Sequence, residues 1–322
     1  MVSQARTTKR RPFLSVIGAG SVGTAFATAL GRRGYPIASV ISSSATSAKR
    51  LASRVKAPVA SDRLSDVSPA SQIVLITTPD RQIAPTAQGL AELAHLDFPT
   101  TIFVHASGAL ASDVLAPLSE KGGHVLSLHP IQLFPRGGNA RDSVGRLSGI
   151  YYGLEGDEVG IATGKTIVKD LAGTALLIPR KLKPLYHVAC VIASNYLVAL
   201  MSLLEEISGK LELNGENFMD VFEPIIASTL GAVKASSPRG ALTGPIERGD
   251  VKTVRLHLQE LNRTLPYLIP FYTVMGMETI RLAIKKGTLS KKQAAVLLEA
   301  MSGYVRKEAT GGLIFHYQEH RN

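Results

Sequence analysis

Two features of the 322-residue chain predict an α/β Rossmann doubly wound parallel sheet over residues 1–180 followed by an all-α C-terminal domain over residues 181–322. Strand-like and helix-like segments alternate through the first half, and beyond Lys183 only helical periodicity remains. A third feature says what the sheet holds. The loop Gly18-Ala19-Gly20-Ser21-Val22-Gly23 follows a short apolar run and opens a helical pattern, the setting in which a G-x-G-x-x-G match carries meaning.

The elements follow in order. Phe13–Ile17 is the first strand, and Thr24–Arg33 carries Ala, Phe and Leu at helical spacing. Ile37–Ser42 reads as a strand and Ser47–Val55 as a helix. Gln72–Thr77 is continuously apolar, as a strand buried on both faces is. Gln82–Leu96 is a helix, Thr101–His105 a strand, Ala111–Lys121 a helix and His124–Leu128 a strand. The alternation ends with a strand at Gly149–Leu154, a helix at Val159–Ala172 and a strand at Ala175–Pro179. Helices are then expected at Val188–Ile207, Asn217–Leu230, Asp250–Thr264, Pro266–Lys285 and Ser290–Arg306, with the domain boundary near Lys181.

Composition narrows the function classes. One cysteine, Cys190, excludes an intrachain disulfide and points to the cytoplasm. The longest apolar run, Val188 to Leu204, is broken by Ser194 and Asn195. It falls short of the roughly 20 residues of a membrane span, so a buried helix and no membrane partner are expected. The formal charge of +11 is spread over small basic groups with no interleaved aromatics and no nucleic-acid-binding motif. It reads as a surface that attracts anionic cofactors and substrates, not nucleic acid.

In the glycine loop, Gly18 makes the tight turn, Gly20 lets a pyrophosphate approach the backbone and Gly23 lets helix pack on strand. Ser21 and Val22 open the helix, whose free N–H groups and positive dipole end favour phosphate. An NAD site usually carries an acid at the end of the second strand for the ribose 2′-hydroxyl. Here Ser42, Ser43 and Ser44 stand there, no acid appears until Asp62, and Lys49 and Arg50 follow. NADP is therefore expected in preference to NAD.

Ligands of open α/β sheets lie at the carboxyl ends of the strands. Three such ends are polar. Thr78 and Pro79 follow one, and His105, Ser107 and Gly108 follow the next. His129 lies at the third. Thr78, Pro79 and His105 are assigned to the cofactor, and Ser107 and Gly108 to substrate. Lys183 and His187, four residues apart, share a helix face, with Asn195 roughly 80° around the axis. Reduction of a carbonyl or imine needs a proton as hydride arrives. Lys183 or His187 is placed to give it, with Asn195 to orient substrate and His129 as a further acid–base candidate. In the punctuated loop Gly240 to Asp250, Thr243 and Arg248 are candidates to grip a carboxylate, which a guanidinium fits well. No metal-ligand spacing occurs.

The glycine loop, HASGAL (105–110), SLHPIQLF (127–134), KPLYHVACVIASNY (183–196) and ALTGPIERGD (241–250) together resemble a bacterial family of oxidoreductase-like proteins that joins a Rossmann-like domain to domain of unknown function 2520. That family is similar in architecture to 6-phosphogluconate, β-hydroxyacid and prephenate dehydrogenases, ketopantoate reductase and pyrroline-5-carboxylate reductase. The resemblance implies substrate held between the two domains and a helical domain that builds a homodimer. Leu128-His129-Pro130 resembles the histidine-proline segment of prephenate dehydrogenases, whose histidine acts on the substrate hydroxyl. Lys183 resembles the lysine of β-hydroxyacid dehydrogenases and ketopantoate reductases, but those carry asparagine four residues on, where this chain has His187.

The expectation is an NADP-dependent oxidoreductase moving hydride to or from a small anionic oxo or hydroxy acid, ketopantoate-like at first guess. A prephenate-like dehydrogenase and an NADP(H)-binding sensor without turnover are the alternatives.

Overall fold

A computed structural model describes residues 10–135, 144–211, 213 and 215–309 of the chain. It divides into two compact units, residues 1–197 and 198–322. The division falls after the expected boundary at residue 180. The segment bearing Lys183 and His187 belongs with the sheet because the Lys183 side chain is fully buried there.

The first unit is built on eight strands: β1 Leu14–Ile17, β2 Ile37–Ile41, β3 Val59–Ser61, β4 Ile73–Ile76, β5 Ile102–His105, β6 His124–Pro130, β7 Tyr151–Gly156 and β8 Thr174–Leu177. Their order is β3-β2-β1-β4-β5-β6-β7-β8. The first six in chain order run parallel, which puts the ends of β1, β2, β4, β5 and β6 on one edge. The helices between them are α1 Ser21–Arg32, α2 Ala45–Val55, α3 Asp80–Ala91, the short α4 Ala116–Ser119 and α5 Glu158–Asp170.

Alternate strand residues feed two apolar clusters, one on each face. Leu14, Val16, Val40 and Val104 join one, and Ile17, Val74, Ile76 and Phe103 the other. Burial on both faces leaves no place for unsatisfied polar groups. The buried hydroxyls of Ser15, Ser39 and Ser71 accordingly pair with one another at 2.6–2.7 Å.

Parallel pairing dominates the sheet as expected; within it β7 runs antiparallel to β6, with Gly153 opposite His129, and β8 runs parallel to β7. A parallel pair needs a crossover back to the same end of the sheet, whereas β7 returns directly along β6. Strand β3 was not foreseen, because three residues carry too little pattern. The helix expected at Ala111–Lys121 is a 3-10 turn, Ser112–Leu115, followed by one turn of α-helix.

Beyond β8 the chain forms α6 Lys183–Val191 and a π turn at Ile192–Tyr196. The second unit then holds α7 Leu197–Ser208, α8 Phe218–Ala235, the short α9 Pro238–Ala241, α10 Val251–Thr264, α11 Ile269–Lys286 and α12 Lys291–Ala309. Its core is Val254, Leu258, Ile269, Ile280, Leu297 and Met301. Gly276 admits Met301, since a Cβ there would stand 2.6 Å from the methionine methyl. The helical stretch Arg180–Ser208 is 29 residues and long and apolar enough to cross a membrane. The expected burial of this run is not provided within a single chain, where its most apolar 18 residues are unburied. Ser194 and Asn195 interrupt the apolar run but do not end the helix.

Candidate active site

The glycine loop joins β1 to α1. Gly18 takes a left-handed φ of +105°, and a Cβ there would press on the Thr77 carbonyl at 2.8 Å. The Thr77 hydroxyl donates to the Gly18 carbonyl at 2.9 Å and pins the turn. A Cβ on Gly23 would lie 1.9 Å from that same carbonyl oxygen, so only glycine lets α1 pack this closely. Gly20, by contrast, has nothing within 4 Å of where a Cβ would be.

Gly20 also stands at the N-cap of α1, with no side-chain cap to occupy the first amides. An uncapped helix N-terminus with open space in front of it suits an anion. Val22 packs against the core, and the Ser21 hydroxyl donates to the Pro135 carbonyl at 3.1 Å. After β4, the Thr78 hydroxyl oxygen is buried with no partner among the described residues, and the exposed Pro79 stands at the N-cap of α3. The open glycine, the free amides and the orphaned hydroxyl on one strand edge fit a dinucleotide.

At the end of β2 the Ser42 amide donates to the Ser61 carbonyl, Ser43 is exposed, and the Ser44 hydroxyl caps α2 by accepting from the Ser47 amide at 3.3 Å. The acid near β3, Asp66, is tied to the Ser61 hydroxyl and the Arg63 guanidinium. A second helix N-terminus therefore sits at the end of β2 with no carboxylate on that strand end.

The ends of β5 and β6 carry a denser cluster. His105 is fully buried. Its Nδ1 accepts from the Ser107 amide at 3.2 Å, and its Nε2 has no partner among the described residues. Ser107, 6% exposed, is fully engaged. Its hydroxyl donates to Asp80 at 2.9 Å and accepts from the Ala109 and Leu110 amides, while its carbonyl accepts from Lys183 Nζ at 3.3 Å. His129 Nδ1 meets the Tyr186 hydroxyl at 2.7 Å, and its ring lies edge-on to that of His187 with centroids 6.4 Å apart. Gly108 forms the floor: a Cβ there would stand 2.7 Å from the His187 ring and 2.8 Å from His129 Nε2.

The electrostatics follow from burial. Burial, with the Lys183 charge second, pushes His105 down to about 4, and burial, then Lys183, His187 and His105, takes His129 down to about 3. Both imidazoles are neutral at physiological pH. Burial pulls Lys183 down to about 8, against the upward pull of Glu155, Cys190 and Asp80. Burial would raise the Glu155 carboxyl as well, but the Ser112 amide and hydroxyl and the Arg180 guanidinium hold it below its ordinary range.

A Rossmann-like domain profile matches residues 3–130, and the profile of domain of unknown function 2520 matches residues 150–279. The chain therefore carries a Rossmann-like domain followed by a DUF2520 domain. Two solved structures are similar over nearly their whole length. One, from Bacteroides fragilis and named as a candidate NADP oxidoreductase, is 25% identical over 84% of this chain and 99% of its own, with a TM-score of 0.69. Another, from Thermotoga maritima, is 27% identical over 85% of this chain and 97% of its own, at 0.64. The prephenate dehydrogenase of Aquifex aeolicus shares the fold, at 15% identity over 86% and 99% and a TM-score of 0.52. No curated protein matches the sequence.

The DUF2520 match begins at residue 150, so the sheet of this chain spans both matches: β7 and β8 lie in the second and the six parallel strands in the first. His129 and Gly108 thus lie in one match and Tyr186, His187 and Lys183 in the other, and the first compact unit brings them together. Asn195 is exposed in the π turn, a helical irregularity frequent at functional sites. In the second unit, Thr243 and Arg248 are both exposed. Their loop is braced by Lys286, which donates to the Leu242 carbonyl at 2.7 Å and to Glu247 at 3.0 Å, and by Asp250, which caps α10.

Three site assignments change. Lys183 has no exposed surface from which to hand a proton to substrate. Ser107 has no hydroxyl capacity left for substrate and serves as the staple of the β5 turn. His105 has no exposed surface from which to touch a cofactor. Tyr186, Gly153, Asp80 and Glu155 were not foreseen. For Tyr186 the one sequence signal was its place beside His187; Gly153 gains meaning only from the antiparallel register.

Proposed function

We propose that the protein is an NADP-dependent oxidoreductase that moves hydride between the nicotinamide and a small anionic oxo acid or its hydroxy counterpart. The observation that carries this reading is one shared strand edge: the uncapped N-terminus of α1 follows β1, and His129, Tyr186 and His187 gather at the end of β6. Bound cofactor supplies the hydride. Gly20, Ser21 and the first amides of α1 would hold its pyrophosphate, and the Thr78 hydroxyl would be a further polar contact for it. His129, half-buried and neutral, offers its Nε2–H as a hydrogen bond to the reacting oxygen, and His187 alongside passes to that oxygen the solvent proton it takes up as hydride arrives. Lys183 has no exposed surface, so it acts by holding the Ser107 carbonyl and by placing positive charge behind the site, where it favours an anionic substrate.

A screen of anionic oxo acids and cyclic imines that follows NADPH absorbance tests the reading. Consumption of NADPH by an oxo acid supports it. Reduction of NADP only with a cyclohexadienyl acid replaces it with a prephenate-like dehydrogenase, and tight NADPH binding with no turnover replaces it with a sensor. No relative described above favours a ketopantoate-like compound over other oxo acids.

NADP is chosen over NAD because the end of β2 carries an α2 N-terminus, Lys49 and Arg50, and no acid. NADPH should bind about tenfold more tightly than NADH, the worth of one charge-assisted contact; equal or reversed affinities in a titration would defeat the assignment. The working assembly is a homodimer, because the second unit leaves Val221, Ile225, Leu230, Val274 and Met275 exposed in one chain. Sedimentation should give twice the chain mass at micromolar concentration, and a monomer there removes the proposal.

A further inference from the structure

We propose that Tyr186 is a positioning residue that fixes the tautomer of His129, so that Nε2–H faces the site as a donor to a substrate oxygen; the hydride-transfer reading above is needed only for what that donor then does. The Tyr186 hydroxyl and His129 Nδ1 are 2.7 Å apart, with the rings edge-on at 87°. Of the two groups, the phenol is the stronger acid and the imidazole nitrogen the stronger acceptor, so the O–H donates and Nδ1 accepts. The single proton of a neutral imidazole is then on Nε2. Burial raises the phenol's pKa and keeps its proton in place.

The ionisable groups that face His129 favour its neutral ring. Lys183, His187 and His105 all oppose a positive charge on its ring, and the Cys190 thiol, one helical turn beyond Tyr186, also lies within hydrogen-bonding reach of the Tyr186 hydroxyl but is the weaker acceptor beside Nδ1 at 2.7 Å.

Two glycines make the arrangement possible. Gly153 lies opposite His129 in the β6–β7 register, and a Cβ there would stand 2.6 Å from the Tyr186 hydroxyl oxygen. Gly108 leaves open the space in front of Nε2, where a Cβ would stand at 2.8 Å. Neither glycine has a positive φ, so the backbone does not require glycine at either place, and the neighbouring side chains do. Nε2 therefore presents a donor toward Gly108, and the ligand atom that matches it is an acceptor: the carbonyl oxygen of an oxo acid.

Long-range proton–nitrogen spectra of the full chain, with the His129 signals assigned by their loss in His129→Asn, test this directly. The wild type should show one tautomer, protonated on Nε2 and neutral from about pH 5 to 8. Tyr186→Phe should mix the tautomers and leave NADPH affinity unchanged. It should lower kcat on the oxo acid roughly tenfold with little change in KM, the worth of one hydrogen bond. Gly153→Ala, which displaces the ring without removing the hydroxyl, should give the same spectral change. A wild-type proton on Nδ1, or a tautomer unmoved in both variants, would overturn the proposal. The spectra need no substrate, so failure to find NADPH consumption bears on the hydride-transfer reading alone.

Discussion

Replacing Gly23 with alanine should abolish NADPH binding and destabilise the first unit, whereas alanine at Gly20 should weaken binding without touching stability. At Gly23 the new carbon would lie 1.9 Å from the Gly18 carbonyl oxygen and 2.4 Å from the Thr77 hydroxyl. The first is backbone and has no rotamer by which to escape, so α1 must lift off the sheet or the loop must open. Overpacking of this kind costs up to about 3 kcal/mol, a fall in Tm of roughly 6–12 °C for a unit of this size. The loop that should cradle the phosphates is distorted at the same time. Gly20 has φ −75° and open space around it, so alanine fits the fold and intrudes only on what approaches from outside. Its Tm should match the wild type while the Kd for NADPH rises about tenfold or more. Normal NADPH binding by Gly23→Ala, or a Gly20→Ala variant that binds normally, would remove the loop from the cofactor site.

Lys183→Met should give the opposite pairing, a protein at least as stable that has lost most of its turnover. The folded pKa of about 8 lies below the unfolded 10.5. The folded state therefore binds fewer protons between these values. Stability rises as pH climbs from about 8 to 10.5, and the full penalty of a buried ammonium is present below about 8. That penalty is about 3 kcal/mol, less about 1 kcal/mol for the hydrogen bond to the Ser107 carbonyl. Methionine removes both. Denaturation at pH 7 should find the variant about 1–2 kcal/mol more stable, and the gap should close toward pH 10. Turnover should fall about a hundredfold, because the Ser107 turn over Gly108 loses its anchor and a small misplacement is that costly. A variant destabilised equally at every pH would show that Lys183 is a structural prop and that its burial is fully compensated.

Much of the frame was legible from local pattern. The strands are apolar runs buried on both faces and the helices repeat at 3.6 residues, so the six parallel strands except β3 and all the long helices could be placed along the chain. The glycine loop could be read because each of its glycines answers a local steric demand, and the acid-free end of β2 because absence of a residue type needs no coordinates. The active cluster was legible only in part. His129 and Lys183 were identified as candidates, but the hydroxyl of Ser107 looked free in sequence and is occupied in space by Asp80 and two amides. Lys183 looked like a group facing substrate and is enclosed.

The sequence by itself therefore determined the sheet's class and the glycine loop, because each depends on residues within a few positions of one another, and it supplied the acid-free strand end on which the proposal of NADP rests. The tertiary structure alone decided which side chains meet at the site and which of them face outward. The reversal of β7 puts Gly153 opposite His129, and that leaves room for Tyr186 from a helix more than fifty residues away in the chain. Register and burial are properties of non-local packing: no periodicity along one strand records which residue of another strand lies across from it.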